Sequence, residues 1–188
     1  GLPRVFEATA VMGGLGLMVV LVGLPATPKI TDGGRAHIAD RKRLGEALWG
    51  QGLGILYASI FCLHLLLMAA FTAIPAVMTE QVGLPPEQHA WLYLATLCGA
   101  LPGVAMLVRR RQALDDSRPL LALSVLLTVL GLVTALWASS LLVLGVGLML
   151  FFVGFTALET ILPALVSIVA PTSLRGTAMG IFSSAQFL

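Results

Sequence analysis

Hydrophobic residues in this chain come in long unbroken runs, separated by short breaks where charges, prolines and glycines collect. The runs cover about 3–24, 50–77, 89–108, 119–138 and 141–170, and a further apolar stretch begins after Pro171. At about 1.5 Å of rise per residue, some twenty helical residues cross the roughly 30 Å of bilayer hydrocarbon. A membrane β-strand would alternate over about ten residues, so the pattern predicts helices, whose backbone groups bond within one segment. The expected fold class is all-α integral membrane.

The breaks carry their own expectations. Pro25 to Trp49 is polar and basic, with Lys29, Arg35, Arg41, Lys42 and Arg43. Its last part, His37 to Trp49, reads as a short surface helix with Ile38, Leu44, Leu48 and Trp49 turned toward lipid. Met78 to Gln88 reads as a loop carrying Glu80 and Glu87, and Ser139-Ser140 as a tight turn. Thr172 and Ser173 are the expected N-caps of the sixth helix. Pro75 is expected to kink the second span near its end. Gly13, Gly14 and Gly16, and again Gly99 and Gly103, offer small patches where a second helix could approach. Arg4 and Glu7 stand one turn apart and are placed to pair.

Composition narrows the class. The chain is 58% hydrophobic and 11% charged, which a soluble domain with a polar shell does not reach. It opens on Gly1 and stops at Leu188 inside an apolar run, so it reads as a piece of a longer protein, and its first run lacks the basic leader and cleavage site of a signal peptide. Cys62 and Cys98 lie in apolar runs and are expected to be buried, inert thiols; no disulfide, metal site or cofactor is implied. If the spans alternate, the loop 25–49, the segment 109–118 and Arg175 share one side. Together they hold every one of the eleven Lys and Arg residues except Arg4, which makes that side cytoplasmic. Trp49, Trp91 and Trp137 all fall at span ends, where an aromatic belt belongs.

Candidate chemistry sits where ionisable groups interrupt the apolar runs. Glu159 is the single ionisable residue from Leu141 to Ala170, and a charge at such a depth costs on the order of 3 kcal/mol unless it faces protein or water. It is the leading proton-coupling candidate, with His64 near the middle of the second span as the other. Phe61, His64, Met68, Phe71 and Pro75 recur at helical spacing, and Phe152, Phe155 and Thr156 share a face with Glu159. Of these, Phe61, Phe71, Phe152, Phe155 and Thr156 would line a cavity with aromatic surface suited to an amphipathic or cationic small molecule. Gln186 could reach the same cavity from the sixth helix. A purely structural reading stands beside this one: Glu159 and His64 could bridge helices without exchanging protons.

A single span, a long basic linker and then closely spaced spans resemble the middle of a twelve-helix major facilitator superfamily transporter. The stretches Leu150 to Pro163, Arg175 to Leu188 and His64 to Pro75 resemble its YajR-type branch, proton-linked and drug-efflux-like. The resemblance implies helices six to ten and the start of eleven. Residues 1–24 would end the N-terminal half, 25–49 would form the cytoplasmic linker, and 50–188 would make up most of the C-terminal half. It further implies an inner-membrane antiporter of small amphipathic molecules and protons, whose partners are the lipid bilayer and the missing N-terminal half. Arg175, Gly176 and Gly180 would form a cytoplasmic gate, with simple membrane anchoring as the alternative for Arg175. The family's Gly-x-x-x-Asp-x-x-Gly-Arg loop has only a degenerate counterpart here, between Arg109 and Arg118.

The rival readings are a proton-coupled importer and a non-transporting multi-span sensor or scaffold. An enzyme is disfavoured: no nucleophile, acid-base pair or metal cluster converges in the loops, and His37 and Asp40 lack the spacing of a membrane acyltransferase. No phosphate-binding Gly-rich loop supports ATP-driven transport, and no nucleic-acid partner is implied.

Overall fold

The computed structural model describes residues 2–23, 45, 47–112 and 116–188. The chain divides into two units, Gly1–Ile38 and Ala39–Leu188. In the first, α1 (Leu2–Gly23) is one helix, and a Cβ at Gly13, Gly14 or Gly16 would meet nothing within 4 Å. The Arg4 side chain, the basic residues Lys29 to Arg43 and most of the expected surface helix lie outside the described residues. Residues 47–49 are helical.

The second unit holds α2 (Leu53–Ala76), α3 (Pro86–Gln112), α4 (Arg118–Leu136), α5 (Leu141–Val169) and α6 (Arg175–Gln186). Counting the extension of α2 to Gln81, the first four of these are long and apolar enough to cross a membrane. Among the described residues there is no strand. Trp49, Trp91 and Trp137 stand exposed at helix ends.

Helix α5 is the centre of the bundle, burying Leu144, Leu148, Phe151, Phe155, Leu158 and Leu162 among others. Its tightest partner is α4, joined through the Ser139-Ser140 turn, where Ser140 Oγ accepts from the Val143 amide at 3.4 Å. The α4 seam is Ser124, Thr128, Gly131 and Ala135. Both hydroxyls donate to the carbonyl one turn back, at 2.8 Å each, so the seam presents no unsatisfied donor to an apolar surround. A Cβ on Gly147 would lie 2.6 Å from the Ala135 amide nitrogen, and those on Gly131 and Gly154 would strike the backbones of Phe151 and Ser124. The two main chains therefore touch. Lipid tails are as apolar as leucine, so this close packing, rather than water exclusion, holds the pair together. Gly99 and Gly103 seat α3 more loosely on α5, against the side chains of Met149 and Val153.

Three sequence expectations need correction. The stretch Met78 to Gln88 is not one loop: α2 runs through Pro75 into a wide π turn at Val77–Gln81, and α3 starts at Pro86. Five-residue bonding, Val82 N–H to the Val77 carbonyl at 3.1 Å, satisfies the helix end, and Gly83 at φ +73° turns the chain back. Thr172 and Ser173 do not cap α6. Its N-cap is Leu174, without a side-chain bond, because a turn from Pro171 buries Leu174 and starts the helix after it. Cys62 and Cys98 are exposed rather than buried, since in a bilayer bundle apolar faces turn outward.

The entry to α2 is held by Tyr57, whose hydroxyl donates to the buried Ala47 carbonyl at 2.7 Å. Tyr57→Phe strands that carbonyl and is expected to cost about 1–3 kcal/mol, read as a lower thermal midpoint of the full-length protein in detergent.

Candidate functional site

The inward stripe of α2 runs Leu53, Tyr57, Ile60, His64, and this spacing carries an imidazole into the bundle at mid-span. His64 Nδ1 lies 3.2 Å from the Ile60 carbonyl oxygen. A carbonyl only accepts, so in the neutral ring Nδ1 bears the hydrogen and Nε2 is left as an acceptor. On α6, the residues Ala178 and Phe182 are buried, and one further turn of the same face presents Gln186. Gln186 Nε2 stands 2.9 Å from His64 Nε2 and donates to Glu159 Oε1 at 3.5 Å. His64 Nε2 and Glu159 Oε1 are 3.7 Å apart.

Three helices thus bring an imidazole, a carboxyl and an amide to one point. Their exposure is unequal: the His64 side chain is 10% exposed and that of Glu159 42%. Glu159 belongs to a partly open stripe of α5 with Thr156, Thr160 and Pro163. Thr160 gives its hydroxyl to the Thr156 carbonyl at 2.8 Å, leaving the carboxyl as the group there able to change charge.

Beside this cluster lies a cavity of about 290 Å³, lined by Phe61, His64, Leu65, Met68, Gln186, Phe187 and Leu188. The Phe155 and Phe187 rings flank the imidazole, with centroids 5.8 and 6.3 Å away. The arrangement offers a mostly apolar pocket with one titratable pair at its edge.

Of the residues singled out in the sequence, His64, Glu159 and Gln186 are brought together, and Phe61 lines the cavity. Phe71 lies elsewhere, stacked on Tyr93 at 5.1 Å, where the Tyr93 hydroxyl has no hydrogen-bond partner among the described residues. Phe152 and Phe155 are buried in the core around Phe151, and Thr156 is half-buried one turn from Glu159. Arg175 and Gly176 open α6 at the end away from Gln186, about 16 Å off at helical rise. A Cβ at Gly176 or Gly180 would meet nothing within 4 Å, so neither glycine sits at a helix contact in this unit. Leu65, Met68, Phe187 and Leu188 join the cavity without having been assigned to it. Met68 shared the helical spacing of His64, whereas Leu65 and Phe187 carried only adjacency to His64 and Gln186. Among the described residues, no group of three or more His, Cys, Asp or Glu could hold a metal ion.

Four membrane-length helices, two of which bring an ionisable side chain to one point within their spans, are the architecture of a multi-pass membrane protein. Residues 1–188 match the family model of the Major Facilitator Superfamily, and the chain belongs to that family. It is 35% identical over 135 residues to the inner membrane transport protein YajR of Escherichia coli (strain K12), a match covering 69% of this chain and 28% of that protein. It is 30% identical over 135 residues to an uncharacterized transporter, BU466, of Buchnera aphidicola subsp. Acyrthosiphon pisum, covering 70% of this chain and 34% of the relative. The chain therefore spans about a third of the length of these relatives. No solved structure matches it significantly.

Proposed function

We propose that this chain ends the N-terminal half, links the halves and forms most of the C-terminal half of an inner-membrane transporter that exports small amphipathic molecules in exchange for protons. The observation that carries this reading is the meeting of His64, Glu159 and Gln186 from three helices beside a cavity that His64 and Gln186 line. A carboxyl inside a span is stable either neutral or matched to a cation. Ionised Glu159, next to the two cavity-lining residues His64 and Gln186, attracts a cationic or amphipathic guest whose apolar part meets Phe61, Met68 and Phe187. Protonated Glu159 holds such a guest more weakly and can pass the apolar interior empty. Proton and substrate then exclude each other, and rocking of the two halves exposes the site to each side in turn. In this scheme Arg175, Gly176 and Gly180 lie at the cytoplasmic mouth, where the open glycine face of α6 is free to meet the other half.

The test is direct. The full-length transporter is reconstituted into proteoliposomes holding a pH-sensitive dye, and a lipophilic organic cation is added on one side. Proton movement opposite to the cation is the expected result. Movement in the same direction would make the protein a proton-coupled importer. No proton movement with any of a panel of amphipathic cations would return His64 and Glu159 to a structural role.

A further inference from the structure

The amide of Gln186 is a bridge between two acceptors. Its nitrogen carries two hydrogens, and it faces His64 Nε2 at 2.9 Å and Glu159 Oε1 at 3.5 Å. The arrangement is satisfied only while His64 is neutral with its hydrogen on Nδ1, the position fixed by the Ile60 carbonyl at 3.2 Å. We propose that Gln186 is a positioning residue that reads the protonation of His64 and turns it into a change in how α6 is tied to α5. The inference rests on the transport reading given above.

The step is one of proton bookkeeping. When Nε2 takes a proton from water, it becomes an N–H donor facing an NH₂ donor at 2.9 Å, and the contact between them turns repulsive. The amide relieves this by turning over, so that its oxygen accepts from the imidazolium. Glutamine is suited to this because its two ends have nearly the same shape and opposite polarity. Turning over withdraws the NH₂ group from Glu159. The carboxylate, 3.7 Å from His64 Nε2, is then left to pair with the new positive charge.

A proton on Glu159 has no such effect, because a neutral carboxyl still offers its carbonyl oxygen to the amide. The cluster is therefore asymmetric: Glu159 changes the charge of the cavity, and His64 changes the connection between helices. The charged and titratable neighbours are few. Facing His64, α5 supplies Glu159 and α6 supplies only the amide. On α2 the other titratable residues are Tyr57, whose hydroxyl is given to the Ala47 carbonyl, and Cys62, which is exposed; α3 carries its charges toward its ends, and α4 has only Arg118 at its start. Gln186 closes the last turn of α6, so whatever it grips or releases moves the end of that helix.

The experiment uses the full-length transporter in lipid nanodiscs with ¹⁵N-labelled histidine, the His64 signals being identified by their loss in His64→Phe. The parent is expected to show His64 in the Nδ1–H form at high pH. In Gln186→Glu a second carboxylate replaces the amide beside Nε2, so the His64 transition is expected to move from its parental place. Gln186→Met keeps the volume without donor or acceptor. It is expected to flatten the pH dependence of substrate exchange over roughly pH 5–8, whatever the size of the exchange that remains.

A Nε2–H tautomer in the parent, or an unmoved transition in Gln186→Glu, overturns the proposal, and so does a parental pH profile in Gln186→Met. If that last variant fails to fold, the two spectroscopic results decide. Loss of proton-driven transport in Glu159→Gln alongside an unmoved His64 transition in Gln186→Glu would leave the transport reading standing and the amide switch refuted. An absence of any proton movement in the parent would refute the transport reading.

Discussion

Glu159→Gln is expected to stop transport driven by a pH gradient while leaving a weaker substrate exchange in the absence of one. The amide has the shape of a protonated glutamate, and its oxygen can still accept from Gln186 Nε2, now 3.5 Å from Glu159 Oε1. What it cannot do is release a proton. A variant locked in the neutral form therefore keeps the fold of α5 and loses the alternation between proton and guest. Coupling between two ligands is commonly about 1–3 kcal/mol, or about 5–150-fold, and a loss of that size is expected in the ratio of uphill transport to passive counterflow. Proteoliposomes of the full-length protein, assayed with and without an imposed gradient, give both numbers from one preparation. Uphill transport at the parental rate would remove Glu159 from the mechanism and leave it as a helix bridge.

Gly131→Ala is expected to destabilise the bundle, whereas Gly145→Ala, on the adjoining helix of the same hairpin, is not. A methyl group at 131 overlaps the Phe151 backbone, with Gly147 O and Phe151 Cα each 2.7 Å from its position. These are main-chain atoms of a helix and cannot rotate aside, so α4 and α5 must separate along the seam. Overpacking of this kind costs about 1–3 kcal/mol. At Gly145 an added Cβ meets nothing within 4 Å, and replacing a helical glycine by alanine gains up to about 1 kcal/mol. Thermal midpoints of the full-length variants in detergent, read by size exclusion after heating, should fall on opposite sides of the parent. Equal midpoints would mean that the hairpin is not seated by its glycines.

These predictions draw unequally on sequence and structure. Spans were legible because length alone decides them: each apolar run long enough to cross hydrocarbon became a helix within a few residues of its expected place. Their ends were less so. Pro75 does not stop α2, because a wide turn finds partners for the freed backbone groups, and α6 begins where Leu174 finds a buried place instead of where a hydroxyl is available. The glycine pair that stood out, Gly99 and Gly103, meets side chains, while the backbone contacts fall to Gly131, Gly147 and Gly154. In nearly uniform apolar helices the pattern does not mark which face meets a neighbour, because both lipid and protein accept the same side chains.

The candidate site divides along the same line. By itself the sequence determined that His64 and Glu159 lie inside spans, since an ionisable group there stands out against its apolar surroundings and is costly to keep. That Gln186 joins them, across 122 positions from His64, was decided only by the packing of α6 onto α2 and α5. The same packing turned Phe61 toward the cavity and Phe71 toward Tyr93, though both share helical spacing with His64. Cost of burial is a property of one residue and can be read in a line of letters. Partnership depends on which faces meet, and in a bilayer that is settled by the fit of small residues and backbones between helices.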